Sequence, residues 1–430
     1  MKALLLLFLV AGAASAATIE TVALQNAASP EAPFVYKKFD RPAVSDAAGE
    51  RVAVFARLAG KKCLFALDSS GAGTTIVCVH DLTPDGLHVF TKIATNLGDA
   101  SINAASAVAW AARYSAGRSG VFRSGPAVVA DIGDPVPAPG SGLLQAFSYA
   151  RITDADDVLF VATISGGGAV TQGIFRCSGG NGNCSAASGG TGTLTALALV
   201  NDPVPDRPGR AFCKFLELDA STYGATFRAA TQLDCSDGGE TPAIGVFRRP
   251  VAGPIATVAL GGEACTPTPT PGGTTYLRLP SAPGISNGGM VAFQGTTGGL
   301  LVNNVVYLCD PATCPASPAT DGVAQGDFDG NGNMFRTFSP PDVSDAGDVA
   351  FSAKVSGAAG TRDALYIRRF NDTVETIVLA DVTPVPGSSP AAIFDQAFAP
   401  RMSSAGKVVF GGRIERNASP SKLRGVFLFE

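Results

Sequence analysis

A strand-and-hairpin motif recurs seven times along this chain, and its last copy lacks the final element, a close match to which stands near residue 18. Internal repetition at this spacing constrains the fold more than any other feature. Each copy has a small polar cluster, then Gly or a small polar residue, then a branched-apolar and aromatic strand. Clear copies begin at Ile102, Ile152, Ile285, Val343 and Met402; weaker ones begin at Val44, with an insertion, and at Leu218. The motif aromatics read as Phe55, Trp110, Phe160, Phe227, Phe293, Phe351 and Phe410, spaced 50 to 67 residues apart. In Asp345-Ala346-Gly347 and Asn287-Gly288-Gly289 the Asp or Asn caps a turn and the Gly accepts a positive φ. The alternation that follows, as in Val349-Ala350-Phe351, predicts a strand entering the core.

A second strand follows each motif, with Phe65, Phe122, Phe175, Phe247, Tyr307, Tyr366 and Phe427 as its aromatics. A third begins at Thr74, Ala127, Thr193, Ile255 and Val374; a copy around Ser317 is too faint to place alone. Then comes a Pro-rich loop, as after Asp134, Asp202 and Asp381. A segment carrying Phe147, Phe215, Phe338 or Phe398 follows, read as the first strand of the next unit. The remaining third element is Thr18–Gln25, which parallels the strand at Val374. A β-helix or a pair of sandwiches has no use for a terminal strand supplied from the other end of the chain. A closed ring does, because the strand removes an exposed sheet edge. The expected fold is therefore an all-β, seven-bladed β-propeller of four-stranded blades, closed by the N-terminal strand completing the last blade.

The first 16 residues read as a signal peptide: Lys2, an apolar run from Leu4 to Val10, and Ala14-Ser15-Ala16 as cleavage site. Residue 17 is not Cys, so no lipid anchor is expected. The expectation is export, extracellular or periplasmic, after cleavage near Ala16, with residues 17–430 forming one propeller domain. No later stretch approaches the roughly 18 apolar residues of a membrane helix. Charged residues are 16%, against about 25% on average. With a net charge of −4, nucleic acid and anionic membrane surfaces are poor partners, since both demand a basic face.

Nine Cys in an exported chain predict disulfides. Cys63/Cys78, Cys177/Cys184 and Cys309/Cys314 are close in sequence and would join the third strand of a blade to the fourth. Cys213/Cys235 is a fourth pair, and Cys265 is left over. No CxxC pair occurs and only His80 and His88 are present, so zinc is not expected.

The repeat resembles that of bacterial exported tandem-repeat proteins with an Asn-x-x-Gly-x-x-Ala-Phe motif. Asn103, Ser106, Ala109 and Trp110 are in frame with Ser286, Gly289, Ala292 and Phe293, and with Ser344, Gly347, Ala350 and Phe351. The Asn position is mostly Ser or Thr here, and the fourth unit is degraded. The resemblance implies export and a propeller-like repeat architecture of uncharacterised function. It implies no active site.

No nucleophile–base pairing or phosphate-cradling loop stands out. His80 and His88 share one loop region, and Gly-Gly pairs fall between expected strands as hairpin tips. Asp134, Asp202 and Asp381 would lie on one rim, where an Asp before Pro serves a turn. Asp327, Asp329 and Asn331 match the first half of a calcium loop, with oxygen ligands at positions 1, 3 and 5 and Gly332 at position 6. Phe338 stands where the bidentate Glu would be, so other loops would have to complete a calcium site. No other cofactor is expected. The leading reading is a secreted binding or scaffold module and not an enzyme, since no catalytic cluster stands out in the sequence. It is expected to be monomeric, with a polysaccharide or an extracellular protein as partner. The rivals are a propeller enzyme acting on glycans through rim carboxylates and a self-assembling coat component.

Overall fold

The computed structural model describes residues 18–430 except 46–50, 94–98, 126, 233–242, 263–275, 298–302, 313–319, 389–391 and 417–418. Its strands form seven antiparallel sheets, each a four-strand meander. In four blades the innermost strand is broken into two short pieces, as at Lys38–Phe39 and Ala43–Val44. The expected seven-bladed propeller is the observed fold.

The last blade runs inner to outer through Ala392–Met402, Val408–Arg416, Ser419–Phe429 and finally Ile19–Leu24. Ile19 pairs with Phe429 and Leu24 with Gly425, so the two ends of the chain share one sheet. The faint copy near Ser317 resolves into an outer strand at Thr320–Ala324.

Each blade is held by aromatics from its inner three strands. Trp110/Phe122, Phe160/Phe175, Phe227/Phe247, Phe293/Tyr307, Phe351/Tyr366 and Phe410/Phe427 are direct cross-strand partners. All six pairs stack, with ring centroids 5.3–6.0 Å apart. An inner-strand ring meets the third-strand ring edge-on in most blades, as in Phe394–Phe427 at 4.7 Å and Phe212–Phe247 at 4.8 Å. Such pairs contribute about 0.5–1.5 kcal/mol each beyond area burial. The first blade departs from the sequence reading. Val54, not Phe55, stands opposite Phe65, and Phe55 packs against the second blade. The insertion after Val44 hid this one-residue shift, which in a strand reverses the face.

The Gly two residues before several third-strand aromatics has a steric cause. A Cβ on Gly245 would lie 2.4 Å from the Phe247 ring, and one on Gly425 2.7 Å from Phe427. The ring folds back over its own strand and occupies that space.

Every third/outer strand pair carries a bulge opposite the third-strand aromatic. The extra residues are Val22, Ile76, Val129, Leu197, Val258, Gly322 and Ile377. A bulge twists an outer edge away from regular pairing, the means by which sheet proteins keep edges from aggregating.

Cys63–Cys78 joins the third and outer strands at registered positions. Cys177–Cys184 differs from expectation. Cys184 lies in the loop before the outer strand, and its N–H donates to Val129 O of the preceding blade at 3.2 Å. This bridge therefore shapes a loop that clamps two blades together. Cys213 and Cys309 are also disulfide-bonded, while their expected partners Cys235 and Cys314, and Cys265, lie outside the described residues.

Removing residues 17–24 should leave the Ser419–Phe429 edge unpaired. The expected result is self-association in sedimentation analysis and a lowered Tm, with partial rescue by a peptide of residues 18–25 added in trans.

Candidate functional site at the channel mouth

Antiparallel order puts the inner-to-second turns of all blades at one end of the ring. Six of them use the same capping contact, in which a buried short polar side chain accepts the backbone N–H four or more residues on. The pairs are Ser45–Arg51, Asn103–Ala107, Thr153–Asp157, Ser286–Met290, Ser344–Asp348 and Ser403–Lys407. Any side-chain oxygen one or two bonds from Cβ serves, so Asn, Ser and Thr interchange at this position. In the degraded fourth unit Ser221 instead donates to Ser286 O at 2.8 Å.

In four turns the next residue donates its N–H to another blade around the mouth. Ala104 N donates to Asp154 Oδ1 (2.7 Å), Thr222 N to Asn287 Oδ1 (3.0 Å) and Asn287 N to Asp345 Oδ1 (2.6 Å). Asp345 N reaches Ser404 O at 3.1 Å. Asn287 Nδ2 also donates to Asp154 Oδ2 at 3.2 Å, joining the third and fifth blades.

Beneath the mouth the inner strands present a ring of charge. Arg151 Nε lies 3.1 Å from Asp219 Oδ1, and Arg401 Nη1 lies 3.5 Å from Asp219 Oδ2 and 3.6 Å from Asp342 Oδ2. Arg41 Nη1 lies 3.7 Å from Asp99 Oδ2, and Arg151 Nη1 donates to Asp99 O. Three arginines face three aspartates, so the ring is electrically neutral. Burial, with Arg401 nearby, pulls the Arg41 guanidinium down to about 10. Burial would lower Arg401 too, but Asp219, Asp342 and Asp99 outweigh it and hold its pKa above the ordinary value. Burial pushes the Asp342 carboxyl up, and Asp219 adds to that.

These side chains and the turns line a cavity of about 110 Å³ that opens to solvent at the mouth.

The residues singled out from sequence are placed elsewhere. Asp134 and Asp202 lie at the opposite end, on the loops between blades, where each accepts the backbone N–H three residues earlier at 2.7 Å. Asp81 and Asp327 do the same. Asp381, with φ +63°, is equivalent to Asn201 (φ +75°) and not to Asp202. His80 occupies that same left-handed position (φ +79°), and His88 Nδ1 lies 3.2 Å from Ser115 Oγ.

In the calcium-like loop, Asp329 is buried and fully engaged. Its carboxylate accepts from Asn331 N (2.9 Å), Asn333 N (2.7 Å), Asn333 Nδ2 (2.9 Å) and Tyr366 Oη (2.8 Å). Asp327 points to Ala324 N, and Asn331 Nδ2 donates to Thr376 Oγ1. Among the described residues no group of three or more His, Cys, Asp or Glu is placed to hold a metal ion.

The charged ring carried a partial sequence signal: Arg151, Asp342 and Arg401 each stand just before a motif copy, and Asp219 is the second residue of the weak fourth copy. Those opposite charges gain meaning only when the blades close into a circle.

Fold and site together define a closed seven-bladed propeller with a self-neutralised channel. Residues 315–430 match the model of a family of unknown function, DUF7453. No curated protein matches. Among solved structures, a prolyl endopeptidase is similar over 89% of this chain at 11% identity and a TM-score of 0.43; this chain spans about half of that one (47%). The β-propeller domain of the trilobed protease from Pyrococcus furiosus is similar at 9% identity and a TM-score of 0.47, over 92% of this chain and 95% of that one. The polysaccharide lyase Uly1 is similar at 10% identity and a TM-score of 0.46, over 90% and 89%. At such identities the similarity concerns the fold alone.

Two outcomes follow from the geometry. Burial would raise the Asp329 carboxyl, but the hydrogen bonds from Asn333, Tyr366 and Asn331 outweigh it and hold it low. Its contribution to stability is thus present above the ordinary carboxylate pKa of about 3.9 and lost as pH falls through the lower folded value. Asp329→Ala should lower stability by about 2–4 kcal/mol in denaturant titration, flatten that acid limb, and do so equally with calcium or chelator. A calcium-dependent difference in wild type that Asp329→Ala abolishes would instead support the calcium site. Arg401→Leu, which leaves Asp342 without a cationic partner and Asp219 with Arg151 alone, should cost about 3–5 kcal/mol by the same measurement.

Proposed function

We propose that this chain is an exported binding or scaffold module, its signal segment 1–16 removed near Ala16 and residues 17–430 acting as one ring-closed unit. The observation that carries this reading is the state of the channel. Its charges are spent on one another: Arg41, Arg151 and Arg401 face Asp99, Asp219 and Asp342 at 3.1–3.7 Å. Ligand contact then falls to the turns and loops at the two ends of the ring, which a rigid scaffold holds in place. The partner is a polysaccharide or another envelope protein. The disulfides suit an oxidising compartment. Among the described residues no helix is long and apolar enough to cross a membrane.

One observation favours the rival, a glycan-acting enzyme. Asp219 and Asp342 both contact Arg401 Nη1, so their carboxylate oxygens lie within about 7 Å of each other, a separation within reach of paired catalytic acids. Against it, Asp342 also accepts from Val343 N and Met402 N, at 3.1 and 2.9 Å. Neither acid is free to meet a substrate.

The test is Tm of the oxidised, signal-free protein across polysaccharides, cell-wall fragments and envelope proteins. A ligand at 100 times its Kd should stabilise by about 2.7 kcal/mol. No polysaccharide in the panel should be cleaved. Release of reducing ends that disappears in Asp342→Asn would favour the enzyme instead.

A further inference from the structure

We infer that the mouth face of the fourth, fifth and sixth blades is a binding strip for a neutral, hydroxyl-rich polysaccharide chain. This rests on the binding-module reading and names its ligand class. Two aromatic rings are held at the surface there. Tyr223, half-buried in the inner-to-second turn of the fourth blade, lies over Gly289 of the fifth; a Cβ on Gly289 would fall 2.5 Å from its ring. Phe370, 64% exposed, lies over Gly347 of the sixth blade, whose Cβ would fall 2.8 Å from its ring. Met290 stands between them in the chain and beside Phe370. It follows Gly289 in sequence, and its methyl group would lie 2.7 Å from a Cβ on Gly347. Tyr223, Met290 and Phe370 thus stand on the mouth face of three adjacent blades.

Both rings are positioned by other groups. The Arg248 guanidinium sits 5.5 Å from the Tyr223 ring centroid and donates to Gly289 O at 3.0 Å. The Asp348 carboxylate accepts from Phe370 N at 2.9 Å and from Arg369 Nη1 at 3.0 Å. Gly289 and Gly347 take positive φ in their turns, +84° and +85°, and so leave no side chain beneath the rings. Rigid rings cost little ordering entropy on binding.

The polar groups beside the rings select the occupant. Asp345 is exposed and Asn287 half-exposed, and exposed Asp154 stands across the mouth from Asn287. A carboxylate has about four lone-pair sites, and the hydrogen bonds to these two acids leave acceptor capacity on each. Sugar hydroxyls donate to such acceptors, while sugar C–H groups lie against the electron-rich face of an aromatic ring. The nearby arginines are committed, Arg369 to Asp348 and Glu375 and Arg248 to Gly289 O. The exposed charges left on the strip are negative, which selects neutral chains over polyuronates. The three side chains stand along a strip and not in a pit, which suits an extended polymer.

The test uses the oxidised, signal-free protein in pull-down and calorimetry with a neutral β-glucan, a neutral mannan and polygalacturonate. A neutral polysaccharide should bind and polygalacturonate should not. Tyr223→Ala and Phe370→Ala should each weaken binding about tenfold. Leu87→Ala, at the opposite end of the ring, should leave it unchanged, and Phe370→Ala should keep the wild-type Tm. Equal binding of polygalacturonate, or full affinity in the Tyr223→Ala/Phe370→Ala double variant, would overturn the inference. Stabilisation by an envelope protein with no polysaccharide bound would overturn it too, while leaving the binding-module reading intact. No ligand of any class would remove both.

Discussion

The pairing of Ile19–Leu24 with Ser419–Phe429 is the constraint on which the other features depend. Each blade packs against a neighbour on both faces, so a ring holds only if the last blade is as complete as the rest. The closing strand also carries the same bulge as every other outer strand, at Val22. The chain ends thus reproduce in two pieces what the other blades build from one. Cutting the repeat at this point ties the first and last residues of a long chain into one sheet, and loosening either end opens the whole ring.

Within that closure, one local solution is repeated. A third-strand aromatic stacks on its cross-strand partner and meets an inner-strand ring edge-on, and the outer strand bulges opposite it. The variations have local causes. Where Phe175 or Phe247 folds back along its strand, the residue two before it is Gly173 or Gly245. Where the chain carries Val305 before Tyr307, no such space is left, and the ring sits against Gly295 of the second strand instead. Blades are therefore interchangeable in outline and individually fitted in detail.

The channel shows how such a ring spends its centre. Inner strands bring charged side chains together out of water, where an unpaired charge is expensive. Arg41, Arg151 and Arg401 against Asp99, Asp219 and Asp342 answer that cost by mutual neutralisation. The network spans the first, second, third, fourth, sixth and seventh blades, so it helps fix how the blades face one another. A centre occupied in this way leaves recognition to the rims, and the mouth face of blades four to six is where rigid aromatics and free acceptors coincide.

Blade number, strand order within a blade and ring closure were legible in the sequence because each rests on local pattern: alternation, turn residues and aromatic spacing repeat in frame. The displaced Thr18–Gln25 strand made closure readable without any long-range information. Frame errors arose where local pattern fails, as at Phe55, where an insertion shifted the strand by one residue, and at Asp381, displaced by one from the Asp202 position. Cys63–Cys78 was legible from spacing alone, whereas the docking of Cys184 on Val129 was not, since it depends on a neighbouring blade. The charged ring and the grouping of Tyr223, Met290 and Phe370 were decided only by tertiary structure. Their members lie up to 360 residues apart, and nothing local distinguishes Arg41 from any other arginine until closure turns seven separate strand ends toward one axis.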